Sequence, residues 1–219
     1  MGSTPTTLGV ILAGGLSRRM GGIDKTLLEL GGQALLSHVV RKLEPQCESM
    51  IVNANGNAGR FAQTHLTVVP DTVPNHPGPL AGLLAAMEWT ARNNPSIEWI
   101  VSVPGDTPFI PMDLVERLHA ARAASRSLIA CAASGSRHHF ATGLWPVSLC
   151  GNLRDALICK GLRRVEDWVR LHGLATASWS VDQVDPFFNI NTPEDLDAAE
   201  SFMKRTNINA ECGQESLDD

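Results

Sequence analysis

The sequence predicts an α/β fold: a Rossmann-like, doubly wound, mostly parallel sheet with flanking helices and a small antiparallel element. Three observations predict it. Short continuous apolar runs alternate with segments of helical periodicity through the first two-thirds of the chain. The runs end at glycine, asparagine or Pro-Asp, and only a few residues connect them to the next helix. Finally, 43% of the 219 residues are hydrophobic, enough to bury one sizeable core.

Taken in order, Leu8 to Leu12 is a short apolar run of the kind buried on both faces of a sheet. Leu35, Leu36, Val39, Val40 and Leu43 recur at helical spacing, and Pro45 marks their end. Met50 to Val52 predicts a second strand ending at Asn53, and Leu66 to Val69 a third ending at Pro70-Asp71. Leu80, Leu83, Leu84 and Met87 share one face of a helix over 80–89. Trp99 to Val103 is another buried strand, closed by Pro104-Gly105-Asp106, and Pro111 suits the first position of the helix that follows. Beyond this the alternation loosens. Strands are predicted at 128–132, 140–147 and 177–181, and helices at 153–158 and 165–171. Thr192-Pro193-Glu194-Asp195 carries a helix start, with a threonine cap, proline at the first helical position and acids in the first turn. We expect one domain over 1–205 and a disordered polar tail over 206–219.

Composition excludes several classes of function. With 18 Lys+Arg against 23 Asp+Glu the formal charge is −5, so no global field draws the chain to nucleic acid or an anionic membrane. The 5 cysteines are scattered and odd in number, which argues against a disulfide framework or a zinc site and for a reduced, cytoplasmic setting. No apolar stretch reaches the roughly 18 residues of a membrane span, and the first residues lack the charged and apolar regions of a signal peptide. Nothing in the pattern demands obligate assembly, so a monomer is expected.

The chemistry concentrates in residues 10–25. An apolar strand runs into Gly14-Gly15, two arginines follow at Arg18-Arg19, and a second glycine pair leads to Lys25. Paired glycines let a ligand approach the backbone closely, and backbone N–H groups with nearby cations suit a triphosphate. A P-loop is excluded because Asp24, not glycine, precedes Lys25-Thr26, and a dinucleotide fingerprint because G-x-G-x-x-G is absent. In an open parallel sheet ligands bind beyond the carboxyl ends of the strands, where Asn53, Asp71 and Asp106 also fall. Asp106 stands in V-P-G-D-T-P, a stiff setting for one carboxylate. Magnesium, which takes one or two carboxylates and completes its shell with phosphates and water, suits it. His138-His139 are unsuited to share a metal because neighbours in a strand face opposite ways.

These residues carry a family resemblance. L-A-G-G-L-S-R-R-M-G-G-I-D-K, Asn53, V-V-P-D-T-V-P-N-H-P-G-P-L-A-G-L, V-P-G-D-T-P-F-I-P, T-G-L-W-P-V and F-F-N-I-N-T-P-E-D-L resemble, in that order, the molybdenum cofactor guanylyltransferases. That family lies within the Rossmann-like nucleotidyltransferases, and the resemblance covers nearly the whole chain. It implies that Leu12, Ala13, Gly14, Gly15 and Arg19 bind GTP and that Lys25 meets its phosphates. Asn53 and Asp71 would recognise the guanine nucleotide, and Asp106 would hold Mg2+ and the triphosphate, making Lys25 and Asp106 the catalytic pair. Asn189 and Asn191 would bind the molybdopterin cofactor.

The implied reaction transfers GMP from GTP to the phosphate of molybdopterin and releases pyrophosphate. Transient contacts with the molybdenum-inserting protein and with acceptor molybdoenzymes would follow from the family's pathway. Two other readings stay open. One is a nucleotidyltransferase of the same fold acting on CTP or on a sugar phosphate, although Ala13-Gly14-Gly15 favours guanine and residues 15–20 lack the G-T-R-L pattern of sugar-nucleotide enzymes. The other is a non-catalytic GTP-binding regulator, against which both Lys25 and Asp106 speak.

Overall fold

Successive apolar runs become strands of one sheet because their backbones can be satisfied only by pairing with each other. A computed structural model describes residues 4–14, 24–74, 78–182 and 184–214, with backbone alone from 206. Among them the chain order is β1 (Thr7–Leu12), β2 (Glu29–Leu30), β3 (Gln33–Ala34), α1 (Leu35–Leu43), β4 (Ser49–Asn53), β5 (Thr67–Val69) and α2 (Pro79–Asn93). It continues with β6 (Trp99–Pro104), α3 (Leu114–Ser125), β7 (Ile129–Ser134), β8 (Arg137–Pro146), α4 (Cys150–Ile158), α5 (Val165–Val169), β9 (Leu174–Trp179) and α6 (Pro193–Gln214).

Seven strands form a sheet in the order β5-β4-β1-β6-β8-β7-β9, and β2-β3 make a separate small hairpin. β8 alone runs antiparallel to its neighbours β6 and β7, so the sheet is mostly parallel, as expected. Alternate side chains of β1 feed different faces. Leu8 and Val10 pack with Leu80, Leu84 and Met87 of α2 and with Trp145 and Trp168. Ile11 packs with Leu36 and Val39 of α1 and Leu114 and Leu118 of α3. Two helical layers therefore cover a sheet that is buried on both sides, which is why β1 reads as a continuous apolar run. A third cluster joins Leu30 and Leu35 to Ile190 and Ala199, bringing Phe188, Ile190 and α6 onto the β2-β3 hairpin.

Several boundaries differ from the sequence expectation. Pro111 does not begin α3, which starts at Leu114. The reason is Gln46, whose carboxamide accepts from Val115 N (3.0 Å) and donates to Pro111 O (3.0 Å), a clamp far away in sequence. β8 starts at Arg137 and β9 at Leu174, each earlier than expected, because β8 pairs back to Ser134 and β9 runs in register with the whole of β7. α6 continues through Gln214, past the expected boundary at 205. The Met-Lys-Arg and Ala-Glu residues of this stretch are good helix formers, and polarity alone does not stop a helix that is already nucleated.

Candidate active site

Parallel register places the ends of four strands in one row. Leu12 pairs with Asn53 on one side and Pro104 on the other, and Asn53 pairs with Val69. The polar residues that terminate these strands must then project from one edge of the sheet. They line a cleft of about 240 Å³ whose walls include Leu12, Ala13, Gly14, Lys25, Asn53, Asp71 and Asp106. Gly15, Arg18 and Arg19, expected on the same ligand, lie outside the described residues.

At one end of the cleft Asn53 Nδ2 donates to Asp71 Oδ1 and to Val69 O, each at 3.0 Å. Asn55 completes the arrangement: its Nδ2 donates to Asp71 Oδ2 (2.7 Å) while its Oδ1 accepts from Asp71 N (2.9 Å). Both Asp71 oxygens are thus oriented by amides, and each keeps a lone pair for a ligand donor. α2 abuts this end, with Gly78 and Pro79 on the cleft wall. Gly78 has φ +128°, a conformation that L side chains rarely adopt. Pro79 occupies the first helical turn, where its missing N–H costs nothing. The helix therefore presents its amino end, with the positive end of its dipole, to the cleft. Gly82 allows the approach, because a Cβ there would stand 2.1 Å from Asn53 Oδ1.

At the other end Lys25 opens a short 3-10 turn, Lys25–Leu27. Asp24 caps this turn, its Oδ1 accepting from Thr26 N (3.1 Å) and Thr26 Oγ1 (2.7 Å). Its Oδ2 pairs with Arg60 Nε at 2.8 Å, and the Arg60 guanidinium lies over the Phe61 ring. The buried Asp24 charge is thereby neutralised next to a site that must attract anions. Gly105 is small for a reason visible only in three dimensions: a Cβ there would meet Thr26 Cγ2 at 2.7 Å.

Lys25 and Asp106 are both held by asparagines from a distant segment. Lys25 Nζ donates to Asn191 Oδ1 at 2.6 Å, and Asn189 Nδ2 donates to Asp106 Oδ1 at 3.0 Å. Ile190 N donates to the Asp106 carbonyl at 3.0 Å, so the main chain between the asparagines is tied to the same residue. Burial pushes the Asp106 carboxyl above the usual carboxylate range, against the opposing pull of the Asn189 hydrogen bond and the Lys25 charge. A cation delivered with a triphosphate relieves that penalty. The donor set fits such an ion, because Asp106 Oδ2 has no side-chain partner among the described residues. No group of three or more His, Cys, Asp or Glu converges among those residues to make an all-protein cage.

Comparison with known proteins bears on this site. The family described as MobA-like NTP transferase domain matches residues 9–174. A molybdenum cofactor guanylyltransferase of Nitrobacter hamburgensis is 51% identical over 196 residues, covering 90% of this chain and 94% of the relative. One from a Bradyrhizobium species is 50% identical, with the same coverage of both chains. The chain belongs to the molybdenum cofactor guanylyltransferase family.

Family membership makes the protein a nucleotidyltransferase enzyme. Its fold is also that of a solved molybdopterin-guanine dinucleotide biosynthesis protein A from Archaeoglobus fulgidus, at TM-score 0.70 and 22% identity, covering 91% of this chain and all (100%) of that one. A 4-diphosphocytidyl-2C-methyl-D-erythritol synthase from Anaerococcus prevotii shares the fold at TM-score 0.69 and 11% identity, covering 91% of this chain and 96% of that one. No helix among the described residues of this chain is long and apolar enough to cross a membrane.

Other polar and aromatic groups of the chain sort by geometry. His138 and His139 face opposite sides of β8, the first exposed and the second buried, as strand geometry requires. Both border a second cavity of about 140 Å³, which adjoins the first at Pro104 and Ala141 and includes Asn189. Arg163 donates to the carbonyls of Leu157 and Leu162, and Arg164 pairs with Glu166, so these arginines serve the α4–α5 connection. Trp145 and Trp168 are core residues. Asn55, Asp24, Arg60 and Gly82 escaped sequence reasoning. Asn55 alone had a local signal, standing two residues after Asn53 at the same strand end.

Proposed function

We propose that this enzyme transfers GMP from GTP to the terminal phosphate of the molybdopterin cofactor. One observation carries the reading: Lys25 and Asp106 meet Gly14, Asn53 and Asp71 in a single cleft at the carboxyl edge of a parallel sheet. The relatives, molybdenum cofactor guanylyltransferases by name, support both substrates. An oxygen of the acceptor phosphate bonds to the α-phosphorus of GTP. The bond from that phosphorus to the oxygen bridging to the β-phosphate breaks, and its electron pair departs with pyrophosphate. The acceptor phosphate is already anionic at neutral pH, so no strong base is needed.

The obstacle is anion repulsion together with charge building on the leaving group. Lys25 lines the cleft, which supports its role as a point charge for the β- and γ-phosphates, and the Gly14 backbone and the positive dipole end of α2 suit the same anion. Asp71, oriented by Asn53 and Asn55, has the acceptor geometry that the N–H edge of guanine requires. Asp106 would hold Mg2+, which when bound neutralises triphosphate charge. Asn189 borders both Asp106 and the second cavity, which supports an acceptor on that side.

The test is incubation with molybdopterin-loaded protein, labelled GTP and Mg2+, assayed for pyrophosphate and a guanine dinucleotide. GTP with Mg2+ should raise the melting temperature while CTP and UTP should not. Asp106→Ala should lower turnover by at least about 10²-fold. Near-normal transfer by that variant would overturn the role of Asp106, and equal stabilisation by all nucleotides would overturn guanine selectivity.

A further inference from the structure

Residues 185–191 have no regular secondary structure, yet they carry both asparagines that touch the catalytic pair. Contacts at 2.6 and 3.0 Å demand a backbone placed to a fraction of an ångström. The downstream end is fixed by Asp195, whose Oδ2 accepts from Asn191 N and Thr192 N, both at 2.9 Å. The upstream end rests on Asp185. Its Oδ1 accepts from Phe187 N (2.9 Å) and from Ser134 Oγ (2.7 Å), and its carbonyl accepts from Phe188 N (3.0 Å).

The Ser134 hydroxyl has one hydrogen, which it gives to the carboxylate. Its 2.7 Å contact with His139 Nε2 is therefore an N–H donation into Oγ, and this fixes the neutral histidine tautomer. Burial holds His139 below the usual imidazole range, with the Asp185 charge opposing. A Ser-His-Asp set this close resembles a hydrolytic triad, but its wiring is different. The carboxylate binds the serine rather than the imidazole, so the hydroxyl is tethered and not activated. Phe187, fully buried, packs at 4.8 Å from the His139 ring and 5.2 Å from the Trp179 ring, which closes the anchor.

We propose that Asp185 is a positioning residue of nucleotidyl transfer. Through Ser134 and its turn at Phe187 it sets Asn189 against Asp106 and Asn191 against Lys25. The proposal rests on the transfer reading above. The Ser134 hydroxyl and the Asp185 carboxylate, which line neither cavity, thereby act on Lys25 and Asp106 without touching substrate. Loss of the anchor lets the asparagines drift, and a drift of about an ångström near reacting groups costs up to roughly 10²-fold in rate.

The experiment compares Asp185→Asn and Ser134→Ala with the wild-type full chain, using molybdopterin-loaded protein and GTP. We expect kcat to fall by about ten- to a hundred-fold. KM for GTP should stay within about threefold, because Asn53, Asp71 and Gly14 make no contact with this anchor. Amide exchange over residues 186–191 should accelerate while the melting temperature stays within a few degrees. In a cycle with Asn189→Ala, the double variant should be no slower than the slower single one by more than about twofold, since both act by one route. Ser134→Ala, a small change, decides the matter if Asp185→Asn does not fold. Wild-type kcat in Ser134→Ala, or losses that multiply in the double variant, would overturn the proposal and leave the transfer reading standing. Absence of dinucleotide from the wild type would instead overturn the transfer reading, and the proposal with it.

Discussion

Replacing Gly82 with alanine adds one methyl group to α2 where Asn53 already stands. The new Cβ would lie 2.1 Å from Asn53 Oδ1, 2.8 Å from Asn53 Cγ and 3.1 Å from Leu12 Cδ2. The first distance is more than about an ångström inside an ordinary contact, so the amide must move. That amide makes two hydrogen bonds, to Val69 O and to Asp71, and each contributes about 1 kcal/mol. Overpacking adds about 1–3 kcal/mol, while alanine recovers up to about 1 kcal/mol of helix propensity. The expected net loss is about 2–4 kcal/mol, a fall in melting temperature of roughly 4–16 °C for a chain of this size. Asp71 loses one of its two orienting amides, so GTP should bind at least about tenfold more weakly. Gly151→Ala is the control, also in a helix but with nothing within 4 Å of the added atom, and it should stabilise by about 0.4–1 kcal/mol. Thermal melts and GTP calorimetry check both variants. A Gly82→Ala protein that melts within about 2 °C of wild type and binds GTP within about twofold would refute this account of the α2–Asn53 contact.

Three further outcomes follow from named groups. Burial raises the Asp106 carboxyl, so the folded state keeps its proton to higher pH than the unfolded chain, and stability falls as pH rises through that range. Without nucleotide or metal, Asp106→Asn should melt higher than wild type at pH 7 and alike below the ordinary carboxylate range. A lower melting point at pH 7 would contradict the sign. His119 donates to Thr7 Oγ1, and burial pushes its pKa down to about 4 from 6.5. Its contribution is whole above pH 6.5 and is lost as pH falls toward 4, on the order of 3 kcal/mol in all. Urea unfolding from pH 7 to 4 should show this loss in wild type and a flatter profile in His119→Gln. Arg60→Leu leaves the Asp24 carboxylate without its ion partner, at a cost of about 1–3 kcal/mol. Melting should drop and GTP affinity weaken as the Lys25 turn loosens, and a variant that matched wild type in both would remove Arg60 from the site.

Much of the fold was legible because its signals are local. Leu8–Leu12, Met50–Asn53 and Trp99–Pro104 are apolar runs closed by turn residues, and those closures are the strand ends that line the cleft. The start of α3 was misjudged because Gln46, more than sixty residues away, overrides the preference of Pro111. The β2-β3 hairpin has only two residues per strand, too few for any periodicity to appear. Asp24 caps one 3-10 turn and Arg60 lies in another far along the chain, so neither stands out alone.

The sequence by itself determined the order of elements, the row of polar strand ends and the glycine-rich approach to Lys25, since apolar period and turn chemistry act within a few residues. It also determined the family, because motifs such as V-P-G-D-T-P and F-F-N-I-N-T-P are contiguous. Only the tertiary structure decided which groups hold Lys25 and Asp106. Asn191 reaches Lys25 across 166 residues and Asn189 reaches Asp106 across 83. Such contacts arise when sheet register and core packing fold the chain back on itself, and no local preference encodes them.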